Sequence, residues 1–215
     1  LDDLLLPVPA MGIKTISIGM MKPNKDDVIA WRGPILDRAL TQLLADVHWG
    51  DLDYLLLDLP PGTGDIAMSL GQKVPTAEVL VVTTPQQAAS EVAERAGTMA
   101  ALMNQKIIGV VENMSWLAFT APDTGKEYRI DLFGSGGGQE AADALSKRLG
   151  TEVPLLAQVP MDIELRKGGD EGDPIVTAHP ESPAAQAIVE LAKNLDSRPR
   201  GLSGMHLGVS PTNNA

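Results

Sequence analysis

Cysteine is absent from all 215 residues. Its absence excludes disulfides, thiolate metal ligands and a cysteine nucleophile within this chain. Aromatic residues make up 3% of it, so aliphatic side chains must fill the core. Positive charge is also scarce. Lys and Arg number 17 against 28 Asp and Glu, a formal net charge of −11. So acidic a surface repels nucleic acid and anionic membrane, and neither is expected as a partner. No apolar run is long enough to span a bilayer, and no basic segment precedes a secretory apolar stretch. With the lack of disulfides, this favours a cytoplasmic location. Also missing is the phosphate-cradling string G-x-x-x-x-G-K-[ST]. Gly12-Ile13-Lys14-Thr15 lacks the Gly-Lys pair, and Gly125-Lys126 is followed by Glu127. His48, His179 and His206 have no ligand spacing, and no Ser-His-Asp arrangement can be argued.

What is present is hydrophobic patterning of two kinds. Residues 54–58, 79–82, 107–111 and 153–159 are short apolar runs, the mark of strands buried on both faces. Ile13, Ile16 and Ile18 suggest one more strand, ended by Gly19. Helical periodicity follows Pro34 to about Val47, and recurs over 91–103, 140–149 and 184–195. Asp65 can cap a short helix through Leu70. Strands alternating with helices imply an α/β fold, a mainly parallel sheet with helices on both faces. Residues 1–196 read as one domain and 197–215 as a flexible tail. Residues 115–138 form a long Gly-rich excursion.

The most informative string is Tyr54-Leu-Leu-Leu-Asp58-Leu-Pro-Pro-Gly62-Thr-Gly-Asp65. A strand that ends in an acid delivers a carboxylate to the edge where open α/β sheets bind ligands. There Asp58 can orient Mg²⁺ through water beside a nucleotide's phosphates. Gly62 lets a terminal phosphate approach the backbone, since no Cβ intervenes. Asn113 follows another buried strand, and its amide matches the edge of adenine or else satisfies a local turn. Pro160 and Asp162 follow the last strand and either line the same base or start a helix, with Asp162 as its cap. Phe133-Gly-Ser-Gly-Gly-Gly138 is an anion-binding loop at a helix start or a flexible connector. Arg32 reaches a phosphate or an interface, or is an ordinary surface residue.

Taken in order, these strings resemble the Mrp/ApbC family of P-loop ATPases, relatives of the MinD/ParA-like deviant Walker proteins. The resemblance runs from about residue 12 to 195. It is carried by Ile16 to Gly19, Trp31 to Pro34, Trp49 to Tyr54, Asp58 to Asp65, Val82 to Gln86, Glu112 to Ser115, Phe133 to Gly138 and Gln158 to Pro160. It implies a nucleotide-dependent iron–sulfur cluster carrier that uses ATP and Mg²⁺, forms a homodimer and serves apoprotein clients. Asp58 and Gly62 would belong to its switch region, while Asn113 and the Pro160 segment would frame adenine. Two departures stand out. The family's Lys-Gly-Gly-Val-Gly-Lys phosphate loop is not among these residues, so the expected fold lacks the strand that carries it, and hydrolysis by these residues alone is not expected. Where many members carry Cys-Pro-x-Cys, this chain reads Ala121-Pro122-Asp123-Thr124 and supplies no cluster ligand. The alternatives are a MinD/ParA-like switch that binds protein partners without a cluster, and a non-enzymatic dimerisation remnant.

Overall fold

The computed structural model describes residues 4–21, 33–59 and 64–198. Its centre is a sheet built on β4 (Lys106–Thr120), the longest strand. β3 (Glu78–Thr83) pairs with β4 in parallel from Lys106 to Glu112. β6 (Leu155–Met161) also pairs in parallel, from Val110 to Leu117. β5 (Glu127–Ile130) runs antiparallel against residues 117–120. Leu117 is opposite both Ile130 and Met161, and a strand has two edges. β5 therefore lies on the edge of β4 that β3 occupies lower down, giving a mixed sheet with a parallel core.

Alternation of side chains assigns the two faces. On one, Val81, Ile107 and Val110 pack with Ala93 and Ala100 of α3 (Gln87–Leu102) and with Ala141, Ala142 and Leu145 of α4 (Gly137–Leu149). On the other, Val111 and Val159 pack with Ile175 of α6 (Ile175–Ala178) and with Ala184 and Ala185 of α7 (Pro183–Asp196). Helices cover both faces, as the uninterrupted apolar strands require. Alanine lines both helix contacts, which lets backbones approach closely in a core nearly free of aromatic rings. A third cluster joins Leu40 of α1 (Gly33–Ala45) to Ile66 and Leu70 of α2 (Gly64–Lys73). α5 (Ile163–Glu171) is capped by Asp162, the helix start that the sequence offers there as one of two readings.

Two expected strands differ. Residues 54–59 carry no strand assignment and pair with no other described strand, and Leu56 is 89% exposed. An apolar run becomes a strand only where an edge receives its backbone groups. The expected strand over 13–18 is shorter. β2 (Ile13–Thr15) pairs antiparallel with β1 (Val8–Ala10), and Ile18–Met21 is a 3-10 turn. α2 begins at Gly64, so Asp65 lies in its first turn rather than at its cap. The excursion over 115–138 is mostly ordered as the ribbon of β4 and β5. The expected tail lies outside the described residues beyond Arg198.

Candidate functional site at the carboxyl ends of the strands

β3, β4 and β6 run parallel, so their carboxyl ends share one edge of the sheet. Asn113 lies opposite Val159 there, and Pro160 follows directly. Asn113 is half-buried, and its Oδ1 accepts from the Met114 N–H at 2.8 Å. The turn role and a ligand role are compatible, because the amide oxygen has a second lone pair and the amide nitrogen has two hydrogens. Pro160 is buried. By alternation it leaves the sheet on the face of Gln158, opposite to Asn113. Asp162 caps α5, its Oδ1 accepting from Glu164 N at 2.8 Å and Leu165 N at 3.2 Å. That carboxylate oxygen is committed to the helix.

Asp58 is exposed in the irregular segment 54–59. No hydrogen bond or ion pair ties it to another described residue. Among the described residues its carboxylate has no partner, and a carboxylate is a hard oxygen donor of the kind that Mg²⁺ takes. Gly62 and Arg32 lie outside the described residues. The structure therefore brings Asn113 and the Pro160–Asp162 segment together, and it leaves Asp58 off the sheet.

The group that organises this edge is one that pattern reading passed over. Glu112 is 1% exposed, on the face opposite Asn113. Its Oε2 accepts from Gly138 N at 2.6 Å and its Oε1 from Gln158 Nε2 at 2.7 Å. Gly138 is in the first turn of α4, where backbone N–H groups lack intrahelical partners and favour negative charge. The Gly-rich string is neither a flexible connector nor a vacant anion site at this donor. It is a close-packing device. A Cβ on Gly138 would sit 2.6 Å from Glu112 Cβ, and one on Gly137 would sit 2.4 Å from Pro85 O. Ser90 Oγ donates to Gly137 O at 2.8 Å, joining α3 to the same point. The available signal was an acid ending an otherwise apolar strand, Gly109-Val-Val-Glu112, with its acceptors too buried to remain unpaired.

Past Asn113 the strand bulges. Five residues of β4 (Asn113 to Leu117) oppose three of β6 (Val159 to Met161), and Met114 adopts φ 57°. Ser115 Oγ closes the bulge by donating to Glu112 O at 2.9 Å. Beyond it the β4–β5 ribbon carries Arg129 over the Trp116 ring at 4.1 Å and Phe119 stacked on Tyr128 at 5.4 Å. Ala121-Pro122-Asp123-Thr124 forms its tip, closed by Ala121 N donating to Lys126 O at 2.9 Å.

A layered α/β domain with its half-buried amide at the carboxyl edge of a parallel sheet has the architecture of nucleotide-binding proteins. The chain belongs to the family described as ParA, NUBPL iron-transfer P-loop NTPase, whose model matches residues 2–196. It is 52% identical over 99% of its length to an iron-sulfur cluster carrier protein of Mycobacterium leprae, covering 54% of that relative. It is 45% identical over 90% of its length to one of Deinococcus radiodurans, covering 52%. The chain thus spans about half the length of the curated relatives it matches. Among solved structures, it resembles a nucleotide-binding protein of Archaeoglobus fulgidus in complex with ADP. That match has a TM-score of 0.59 at 34% identity, over 80% of this chain and 63% of the other. It also resembles the septum site-determining protein MinD of Pyrococcus horikoshii, complexed with Mg-ADP. There the TM-score is 0.51 at 26% identity, over 80% of this chain and 57% of the other. Among the described residues no helix is long and apolar enough to cross a membrane.

Proposed function

We propose that these residues form the adenine-binding and partner-facing part of an ATP- and Mg²⁺-dependent protein that serves iron–sulfur cluster transfer to apoprotein clients as a homodimer. The observation that carries the reading is the half-buried Asn113 amide in β4, just past the last pair with β3 and opposite Val159, beside the Pro160 segment, in a chain of this family. Asn113 presents a donor and an acceptor to the base edge, and the Pro160–Asp162 main chain lines the site. Asp58 holds Mg²⁺ through water, and the metal neutralises charge on the terminal phosphates. Gly62 lies in the switch segment that senses those phosphates. No G-x-x-x-x-G-K-[ST] string occurs in the 215 residues, so the phosphate cradle is not among them.

A further strand over β3 is part of this reading. β3 pairs with β4 alone among the described strands. Val82 is 60% exposed between buried Val81 and Thr83, and Leu55 and Leu56 are exposed nearby in sequence to Asp58. Apolar strand positions of this kind normally lie under a neighbouring element. As for cargo, a chain without cysteine offers no thiolate, so cluster ligands must come from thiols of another polypeptide segment or partner. The same absence keeps open a switch that engages protein partners without a cluster.

The deciding experiment is calorimetric titration of ATP into the full-length gene product, wild type and Asn113→Ala, with iron and sulfide analysis of the same preparation. Mg²⁺-dependent ATP binding weakened in the variant supports the site. Binding indifferent to Asn113 overturns it. Cluster-free protein that still binds ATP favours the switch reading.

A further inference from the structure

We infer that Glu112 is a positioning residue for base selection: its clamped carboxylate and main chain fix the bulge that aims Asn113. The inference rests on the adenine reading of Asn113. Met114 is a non-glycine residue in the left-handed region, at φ 57°. Such a conformation persists only where its surroundings over-determine it. Here four contacts do so within three residues. Asn113 Oδ1 takes the Met114 N–H. Ser115 Oγ, on a residue 2% exposed, donates to Glu112 O. The two Glu112 carboxylate oxygens are held by Gly138 of α4, 26 residues later, and by Gln158 of β6. Gln158 is the residue paired directly across from Glu112, and Val159 is paired across from Asn113. The clamp therefore sets the register of the two strands one residue before the bulge begins. A bulge within a strand re-aims the side chain beside it. Without the clamp, β4 can relax through Met114 and swing the Asn113 amide off its line. With it, the amide is held before any ligand arrives, and that preorganisation turns a hydrogen-bonding pair into discrimination.

The test compares ATP with ITP, which share sugar and phosphates and differ at the 6-position of the base. Dissociation constants are measured by calorimetry on the full-length gene product, well below each variant's unfolding temperature. Wild type should prefer ATP by about tenfold, the scale of one well-made hydrogen-bonding pair. Glu112→Ala and Ser115→Ala should both bring that preference towards the value of Asn113→Ala. Ser115→Ala removes one hydroxyl and keeps the question answerable if Glu112→Ala fails to fold. Glu112→Gln should rescue the preference. Its amide oxygen can accept from Gly138, and its amide nitrogen can donate to Gln158 once that amide turns over. If Asn113→Ala loses the preference while the Glu112 and Ser115 variants keep it and only melt earlier, Glu112 is purely structural and the inference is overturned alone. If wild type and Asn113→Ala show the same ratio, the adenine reading fails, and the inference fails with it.

Discussion

Replacing Gly97 of α3 with Ala sets two effects against each other. In a helix interior Ala is favoured over Gly by about 1 kcal/mol. Yet a Cβ at Gly97 would lie 2.6 Å from Leu145 Cδ2, 3.0 Å from Leu145 Cδ1 and 3.3 Å from Ile107 Cδ1. Leu145 is 1% exposed and belongs to the α3–α4 core, so its methyl groups can yield only by displacing packed neighbours. Overpacking of this kind costs about 1–3 kcal/mol. Sterics should win, leaving Gly97→Ala destabilised by about 1 kcal/mol. Leu145→Ala alone should cost about 3 kcal/mol from lost burial and the cavity left behind. In the double variant the clash is gone, the helix preference remains and the new methyl fills part of the cavity. Its cost should be about 2 kcal/mol, against about 4 for the sum, a coupling near 2 kcal/mol. Urea unfolding of the four proteins, followed by circular dichroism, measures the cycle. Additivity within about 0.5 kcal/mol would mean that the two residues do not share this space. The contact matters for the site because it seats α4, whose first turn holds Glu112.

Asp58→Ala in the full-length gene product should suppress phosphate release more than ATP binding, because its action runs through the metal. Equal losses in both assays would place Asp58 elsewhere. Iron and sulfide added anaerobically should leave no stable cluster on these residues, read by visible absorbance and iron per protomer. Ala121→Cys with Thr124→Cys should create a site shared by two ribbon tips, and a stoichiometric cluster on the unmodified chain refutes the reasoning. The exposed apolar residues Val82, Leu55 and Leu56 should make these 215 residues self-associate, and a monodisperse monomer by light scattering counts against a covering strand. Asp37 is held below its ordinary pKa by the Ser69 hydroxyl and by Lys73, against a smaller opposing effect of burial. A lowered folded-state pKa contributes stability above the unfolded value near 4, lost as pH falls through the folded value. Asp37→Asn should therefore lower the neutral part of the stability–pH curve and flatten its acid limb, the difference from wild type vanishing as pH falls through the folded-state pKa; urea unfolding at about pH 7 and below about pH 4 measures it.

The parallel core was legible because its signal is local. Val79 to Val82, Ile107 to Val111 and Leu155 to Val159 are mainly apolar, and each run contributes side chains to the clusters on both faces, with Val82 left exposed. The same rule read residues 54–58 as a strand, and the described structure leaves them unpaired. Apolar content shows that a segment suits burial between layers. It does not supply the neighbouring edge, which is a property of the whole sheet. Asn113 and Asp162 were each assigned two roles, and the local role is visible for both, as a turn contact and as a helix cap. Neither local bond excludes the ligand role for Asn113, whereas the Asp162 oxygen is already committed.

Glu112 escaped pattern reading for a physical reason. A buried acid is costly unless hydrogen-bonded, so its place in an apolar strand predicts that partners exist, but not which. Those partners, Gly138 and Gln158, are 26 and 46 residues away. The glycines at 137 and 138 follow from the same contact. They permit α4 to begin against the strand end, where any side chain would collide with Pro85 or Glu112. What looked like two motifs, an acidic strand end and a Gly-rich loop, is one joint between sheet and helix. The β4–β5 ribbon leaves from that joint and returns to it. Asn113, Met114 and the Glu112 clamp therefore lie at the root of the ribbon whose tip, Ala121 to Thr124, stands where the resemblance expects cluster ligands.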